Sequence, residues 1–550
     1  MLNKNQTITF TVTDISDTGE GIGHVDGITV FAANTVPGDT VEALVIKTKK
    51  TYAIAKMTKI LSPSPDRVTP SCPVYSRCGG CQLQSLSYEA ELRLKQKKVQ
   101  DCITRIGGFS ELTVPPVLGM REPAAYRNKG QFPAGEENGR NGTKEPLLGF
   151  YSSHSHRIVP TDRCEMLFPG HEEILRAVRD YLLSEKVSIY NEETGKGLLR
   201  HVLMRKGKAS GELLVCLVVN GERLPRPETL WDRLKEIPGV IGLTLNVNRL
   251  RTNVILGDRL VPLFGKADLT DSIGDISFHI SPMSFYQVNP DQTRVLYGLA
   301  LEYAELTGKE NVWDLYCGIG SISLFLAKKA GRVHGIEIIP EAVKNAEENA
   351  RRNKIDNAEF YVGEAETIFP RLLAEDPSLT ADVICLDPPR KGCDRRLLDT
   401  ILSIAPKRIV YVSCDPATLA RDLKILCEQD YRIRKIQPVD MFPRTTHVET
   451  VCLLSKLSEA KHSIDVKLDM DELDVTSAET KATYEEIKAY VLEQTGLQVS
   501  SLYIAQVKRE CGIIERENYK KPKAEDANQP QCPEDKRKAI KEALIHFGMI

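Results

Sequence analysis

A cysteine standing where a strand ends and a helix begins is placed to act as a nucleophile, and Cys414 is such a residue in Arg408-Ile409-Val410-Tyr411-Val412-Ser413-Cys414-Asp415-Pro416. Ile409 to Val412 are β-branched or aromatic, as strands prefer. Asp415 and Pro416 supply a cap and a first helical residue, and Leu419, Leu423 and Leu426 recur at helical spacing. Open parallel sheets present chemistry at the carboxyl ends of their strands, and a helix N-terminus favours thiolate over thiol. Burial as a small hydrophobe is the commoner fate of a single cysteine, so the rest of the chain has to discriminate. A second set of thiols is Cys72, Cys78 and Cys81, with Gly79 and Gly80 between the last two. That spacing suits ligands better than core residues, and a tetrahedral or cubane site needs a fourth thiolate. Cys164 in Asp162-Arg163-Cys164-Glu165 is the first candidate. Cys102 is its rival, but it lies in a helix-like run with Leu92, Val99, Ile103 and Ile106 and reads as core. Ligand identity alone leaves a structural zinc and an iron–sulfur cluster both open.

A third group of residues has the marks of a nucleoside-cofactor site. The turn Asp314-Leu315-Tyr316-Cys317-Gly318-Ile319-Gly320-Ser321 follows a strand and precedes a helix, and its two glycines admit a ligand close to the backbone. The third glycine of the dinucleotide fingerprint is missing, which argues against NAD. Glu337 ends the next strand, about twenty residues on, where a carboxylate can accept both ribose hydroxyls. Asp387 ends Val383-Ile384-Cys385-Leu386. Glycine turn, ribose acid and later acid, in this order, point to S-adenosylmethionine.

The elements that must position these groups can be read along the chain. Residues 1–61 form a small all-β, OB-like barrel from Thr7 to Val12, Ile28 to Phe31, Val41 to Ile46 and Tyr52 to Ile60, with a basic, aromatic edge at Lys47, Lys49, Lys50 and Tyr52. Residues 62–283 read as a β-rich central domain carrying the cysteines. Its segment Tyr126-Arg127-Asn128-Lys129-Gly130-Gln131-Phe132, followed by His154, His156 and Arg157, suits stacking on bases and pairing with phosphates. Residues 284–457 alternate strand and helix, which predicts an α/β, doubly wound, Rossmann-like sheet. Residues 458–550 are a mostly helical extension. Ser463 to Leu468 alternates like a strand, Ile487, Tyr490, Val491 and Leu492 are helically spaced, and Ser500 caps a second helix with Leu502, Ile504, Val507, Lys508 and Arg509 that ends at Gly512. With a closing helix from Glu534 to Phe547, this resembles a helix-turn-helix with a basic second element, either an added RNA-binding module or a docked appendage.

The composition is that of an ordinary soluble protein, 550 residues with 41% hydrophobic and 27% charged, so several domains are expected. A net charge of -2 leaves room for a local basic face. No secretory signal opens the chain, and its longest apolar run, Leu213 to Val219, is too short to span a bilayer. Fourteen cysteines without an export signal suggest reduced thiols, ligands or catalysis, hence a cytoplasmic protein; no membrane partner is expected, and no obligate protein partner is evident in the sequence.

Taken together, Cys72-x5-Cys78-Gly79-Gly80-Cys81, Ser284-Phe285-Tyr286-Gln287-Val288-Asn289, the glycine turn, Asp387-Pro388-Pro389-Arg390, Ser413-Cys414-Asp415-Pro416 and His447-Val448-Glu449-Thr450-Val451 resemble the RNA (uracil-5-)-methyltransferases of the TrmA/RumA type. The match runs from the N-terminal module, which looks like a TRAM domain, to about residue 457. It implies a [4Fe-4S] cluster held by Cys72, Cys78, Cys81 and Cys164. It also implies S-adenosylmethionine held by Gln287, Tyr316, Glu337 and Asp387, Cys414 as nucleophile and Glu449 as base. Cluster and TRAM module together resemble the branch acting on 23S ribosomal RNA of the large subunit, with transfer RNA or another nucleic acid, or an inactive RNA-binding protein, as alternatives. The chemistry explains the residue types. Uracil C5 attacks a sulfonium methyl poorly until a thiolate adds at C6, and the C5 proton must then be removed by a base. The base has to leave its stack to reach such a cysteine, and Phe285 is a candidate to stack on it.

Overall fold

Burial alternates along each strand of the N-terminal module, so that Ile8, Phe10, Val30, Val41, Ala43, Val45 and Ala53 share one core. The computed structural model describes residues 2–138, 144–153, 155–429, 431–456, 484–511 and 532–547. Six strands make up this module's sheet, in the order Thr7–Thr11, Thr40–Thr48, Tyr52–Ser62, Ile28–Ala32, Gly21–Val25, Asp14–Ile15. Gly21 opens the strand Gly21–Val25, and a Cβ there would stand 2.0 Å from Thr35 Oγ1, so only glycine fits this position.

The central region is built on a seven-stranded sheet ordered Arg259–Gly265, Val240–Val247, Leu213–Val219, Leu199–Lys206, Lys129–Asn138, Lys144–Tyr151, Ile158–Pro160. Every residue of Leu213–Val219 is buried, which explains an apolar run without alternation. The helices His171–Ser184 and Pro227–Leu234 pack into the same core. Tyr126 and Phe132 are buried and cannot stack on RNA. Tyr126 donates its hydroxyl to Pro443 O at 3.0 Å, and Phe132 packs on Phe150.

The α/β sheet runs Ala358–Val362, Arg332–Glu337, Asn311–Asp314, Val383–Leu386, Arg408–Ser413, Glu449–Lys456, Tyr431–Val439. The first five strands pair in parallel, whereas Glu449–Lys456 runs antiparallel to both of its neighbours. This is the expected doubly wound, Rossmann-like architecture. Apolar clusters flank it, one around Leu296, Leu324 and Val410, the other around Trp313, Leu397, Leu419 and Leu423. Both clusters recruit residues from before 284. The hairpin Leu269–Ile273 with Ile276–Ile280 buries Ile273 and Phe278 in the first, and the helix Tyr88–Arg105 buries Val99 and Ile103 in the second. The barrel, central and sheet regions therefore form one compact unit through Ser463, with a second unit from Ile464 onward.

In the second unit, the helices Tyr484–Thr495, Ser501–Glu510 and Glu534–His546 share a core of Ile487, Val491, Ile504, Val507, Ile540 and Leu544. Ser500 Oγ accepts from Tyr503 N at 3.3 Å, as the capping reading requires. Lys508 is only 5% exposed, so it is packed into this unit rather than presented as a basic recognition residue. The strand expected at Ser463 to Leu468, His154, Gly512 and the side chains of Leu502 and Arg509 lie outside the described residues. Among the described residues, no helix is long and apolar enough to cross a membrane.

Candidate active site

Cys414 follows a strand buried from Ile409 to Ser413. Asp415 caps the next helix, Pro416–Cys427, its Oδ1 accepting from Ala417 N at 2.9 Å and Thr418 N at 3.0 Å. The thiol lines a cleft of ≈ 600 Å³ whose walls include Asp17, Lys95, Lys98, Arg390 and His447. The strands Arg408–Ser413 and Glu449–Lys456 pair from Arg408 opposite Ser455 to Ser413 opposite Thr450. The ladder ends there, with Cys414 immediately after Ser413 and Glu449 immediately before Thr450.

The electrostatics agree with this juxtaposition. Burial, reinforced by Glu449 and Asp387, pushes the Cys414 thiol up to about 12, and Arg390 opposes the shift. The helix N-terminus therefore does not leave a resting thiolate, contrary to the sequence expectation; desolvation and two nearby acids outweigh it. Glu449 is 4% exposed. Burial and then Asp387 push its carboxyl up to about 8, again against Arg390. Asp387 is raised to about 7 by burial and by Asp314, and Asp314 to about 6 by burial, held back by the hydroxyl of Ser323. Ser323 Oγ donates to Asp314 Oδ2 at 2.6 Å. His447 is pushed down to about 4 by burial and by Arg390, Lys98 and Lys95, so its ring is neutral at physiological pH. Its Nε2 lies 3.4 Å from the Arg390 guanidinium.

Beside this group, Gly318 and Gly320 take left-handed backbone angles, φ 55° and 79°. A Cβ on Gly320 would meet Ala346 at 3.1 Å. Glu337 accepts from Gly318 N at 3.1 Å through one oxygen and from Ile339 N at 3.0 Å through the other, so the acid is fixed against the glycine turn. Tyr316 donates its hydroxyl to Glu366 at 3.3 Å. Gln287 is half-buried, and its main-chain carbonyl accepts from Asn128 Nδ2 at 3.0 Å. Phe285, two residues earlier, is 72% exposed. Sequence reasoning missed the N-terminal module's contribution. Asp14 to Thr18 line the Cys414 cleft, with Lys98 paired to Asp17 at 2.8 Å. Arg390 stood in a quoted motif without a role, and its opposition to the upward shifts of both Cys414 and Glu449 is what singles it out.

The four predicted ligand thiols, Cys72, Cys78, Cys81 and Cys164, line one cavity of ≈ 270 Å³ together with Arg127 and Lys129. Burial pushes Cys81 up to about 12 and Cys164 up to about 11. Cys102 instead packs at the edge of the second sheet cluster, as read. Among the described residues, no three His, Cys, Asp or Glu side chains close on one point as a single metal ion would require.

The tRNA (Uracil-5-)-methyltransferase family model matches residues 270–457 and the TRAM domain model residues 2–58. An uncharacterized RNA methyltransferase of Halalkalibacterium halodurans is 49% identical over 454 residues, 82% of this chain and 98% of that protein. One from Clostridium tetani is 44% identical over 84% of this chain and 98% of its own. Among solved structures, the Pyrococcus abyssi tRNA (uracil-54, C5)-methyltransferase in complex with S-adenosyl-L-homocysteine is 29% identical at a TM-score of 0.65, covering 81% of this chain and 100% of that one. With identity sustained over nearly the full length of these relatives, the chain belongs to the RNA (uracil-5-)-methyltransferase family of the TrmA/RumA type, an S-adenosylmethionine methyltransferase fold joined to a TRAM domain.

Proposed function

We propose that the protein methylates C5 of uridine in RNA, with Cys414 as nucleophile and Glu449 as base. The observation that supports this reading is that Cys414 and the buried carboxyl of Glu449 stand at the common end of two paired strands, where Glu449 raises the thiol and Arg390 opposes the shift of both groups. The Cys414 thiol loses its proton to solvent, its Sγ bonds to uracil C6 and the displaced π electrons become an enolate at O4. C5 then takes the methyl group, Glu449 takes the C5 proton, and the C6–Sγ bond breaks to return the thiolate. S-adenosylmethionine, when bound, supplies the electrophilic methyl group and a sulfonium charge. Gln287, Tyr316, Glu337 and Asp387 are the residues that would hold it, and the fixed carboxylate of Glu337 beside the glycine turn fits a ribose diol. Arg390 is the cation that favours the ionised forms of both Cys414 and Glu449. Phe285 offers an exposed ring on which an extruded base can stack.

The four thiols would hold a [4Fe-4S] cluster. Their gathering on one cavity supports this, as does the donor set, since four thiolates make an anionic group that Arg127 and Lys129 would offset. Anaerobically purified protein should contain iron and absorb broadly in the visible, and Cys164→Ser should lose both; stoichiometric zinc instead would reject the cluster.

Ribosomal RNA of the large subunit is the proposed target, because cysteine set and TRAM module occur together. A transfer RNA target is the second reading, favoured by the full-length match to the Pyrococcus tRNA enzyme. The test is to incubate the protein and S-adenosylmethionine with ribosomal or transfer RNA containing 5-fluorouridine, whose C5 fluorine cannot leave as a proton. A covalent complex is expected with one RNA and not with Cys414→Ala. Absence of any adduct, or equal trapping by that variant, overturns the mechanism.

A further inference from the structure

Lys95, on the helix Tyr88–Arg105, lines the Cys414 cleft yet is only 1% exposed. Its ammonium donates to Glu91 Oε1 at 2.7 Å, Asp440 Oδ1 at 2.6 Å and Phe442 O at 3.1 Å, which uses all three of its protons. The same partners are bonded again. Tyr88 donates its hydroxyl to Asp440 Oδ2 at 2.8 Å, and Glu91 Oε1 accepts from Arg444 N at 2.7 Å. Arg444 has a left-handed φ of 68°, and its carbonyl accepts from Gln82 N at 2.9 Å and Leu83 N at 3.1 Å. Asp440, Phe442 and Arg444 all belong to the loop joining Tyr431–Val439 to Glu449–Lys456. That loop also carries His447 to the cleft, and in the ladder Val439 pairs with Glu449. Lys95 thus grips the loop one residue from the partner of the proposed base. A buried ammonium between two carboxylates is a poor way to gain stability compared with apolar packing, and its best-attested use is to specify one geometry.

We propose that Lys95 is a positioning residue for methylation: through Asp440 and Glu91 it fixes the hairpin loop and so holds Glu449 against Cys414. The proposal rests on the assignment of Cys414 and Glu449 above. Lys95 has no hydrogen bond to the strand and helix that present Cys414, so addition to C6 should survive its loss while removal of the C5 proton slows.

The experiment uses Lys95→Met and, because that variant leaves two buried acids facing each other, also Asp440→Asn, which keeps the side-chain shape. Each is mixed with S-adenosylmethionine and RNA tritiated at uridine C5. Tritium release in a single turnover should fall about 10–100-fold, part of the roughly 100–10,000-fold that a general base contributes, because Glu449 itself remains. A methylated covalent adduct should accumulate on unmodified RNA, as with Glu449→Gln. Binding of S-adenosylmethionine by calorimetry and adduct formation on 5-fluorouridine RNA should stay at wild-type levels. Wild-type tritium release in either folded variant overturns the proposal. So does an equal fall in tritium release and in 5-fluorouridine trapping, since that would mean a general structural role. If Glu449→Gln itself accumulates no adduct while the wild-type protein is trapped by 5-fluorouridine, the assignment of Glu449 is wrong and the positioning role falls with it.

Discussion

The raised carboxyl of Glu449 makes the last step of the proposed reaction separable by pH. Burial and Asp387 place this group at about 8, so at about pH 6 only about 1% of it is ionised, and at about pH 8 about half. A base must be ionised to accept a proton. Removal of the C5 proton should therefore run about 50-fold faster at the higher pH, rising nearly tenfold per unit below the inflection. Asp387 and Cys414 titrate too, but they act before this step, so their influence is removed by starting from the methylated adduct. The protein is held with S-adenosylmethionine and tritiated RNA at about pH 6 until adduct has formed, then jumped to a series of higher values, and tritium release is followed. Covering the site with RNA excludes water and can only push the carboxyl further up, so the inflection should fall at about 8 or above. Arg390→Met removes the cation that opposes the shift and should move the inflection higher still. A release rate flat between about pH 6 and about pH 8, or a Glu449→Gln adduct decaying with the wild-type profile, would refute the assignment of the base.

The same carboxyl bears on stability with a definite sign. Its folded-state value lies above the ordinary 4.5, so the stability it contributes is complete in acid and is lost as pH rises through about 8. Glu449→Gln should then melt higher than wild type at about pH 9, by up to about 5 kcal/mol, with the gap closing toward about pH 5; a gap that does not narrow in acid would count against the burial argument. In the core, Leu423→Ala removes a fully buried side chain from the cluster beneath the Cys414 helix and should cost about 2–5 kcal/mol in denaturant unfolding, a loss under about 1 kcal/mol meaning that the helix is not anchored there.

Most of the sheet was legible because its strands are short, β-branched and alternate with helices, and the strand-end positions of Cys414, Glu337 and Asp387 follow from that alternation alone. Three of the four cavity thiols were legible from spacing, and the fourth only through the charged turn around Cys164. What escaped was set by long-range packing. Lys95 and Asp440 are far apart in the chain, and nothing in a helical lysine predicts that it is buried. The segment from Asp14 to Thr18 belongs to the barrel in sequence, and the long-range docking of Lys97 on Asp14, Lys98 on Asp17 and Thr446 on the Asp17 carbonyl brings it to the cleft. The segment from Tyr126 to Phe132 misled because aromatic and basic residues alternate both in RNA-binding strands and in strands that bury one face. The resting state of Cys414 was misjudged because helix polarity is local and readable, whereas the desolvation and the acids that outweigh it come from other strands.

The antiparallel pairing of Glu449–Lys456 with Arg408–Ser413 ties the proposed nucleophile, which follows Ser413, and the proposed base to one end of a ladder rather than to a distance along the chain. Between them lie a helix, a strand and a gripped loop, and additions within any of these leave the two at that end so long as the ladder keeps its phase. A single residue inserted into either paired strand would instead turn one partner to the opposite side of the sheet. Length variation among related chains should therefore concentrate at the ends of the intervening helix and be absent from the two paired strands.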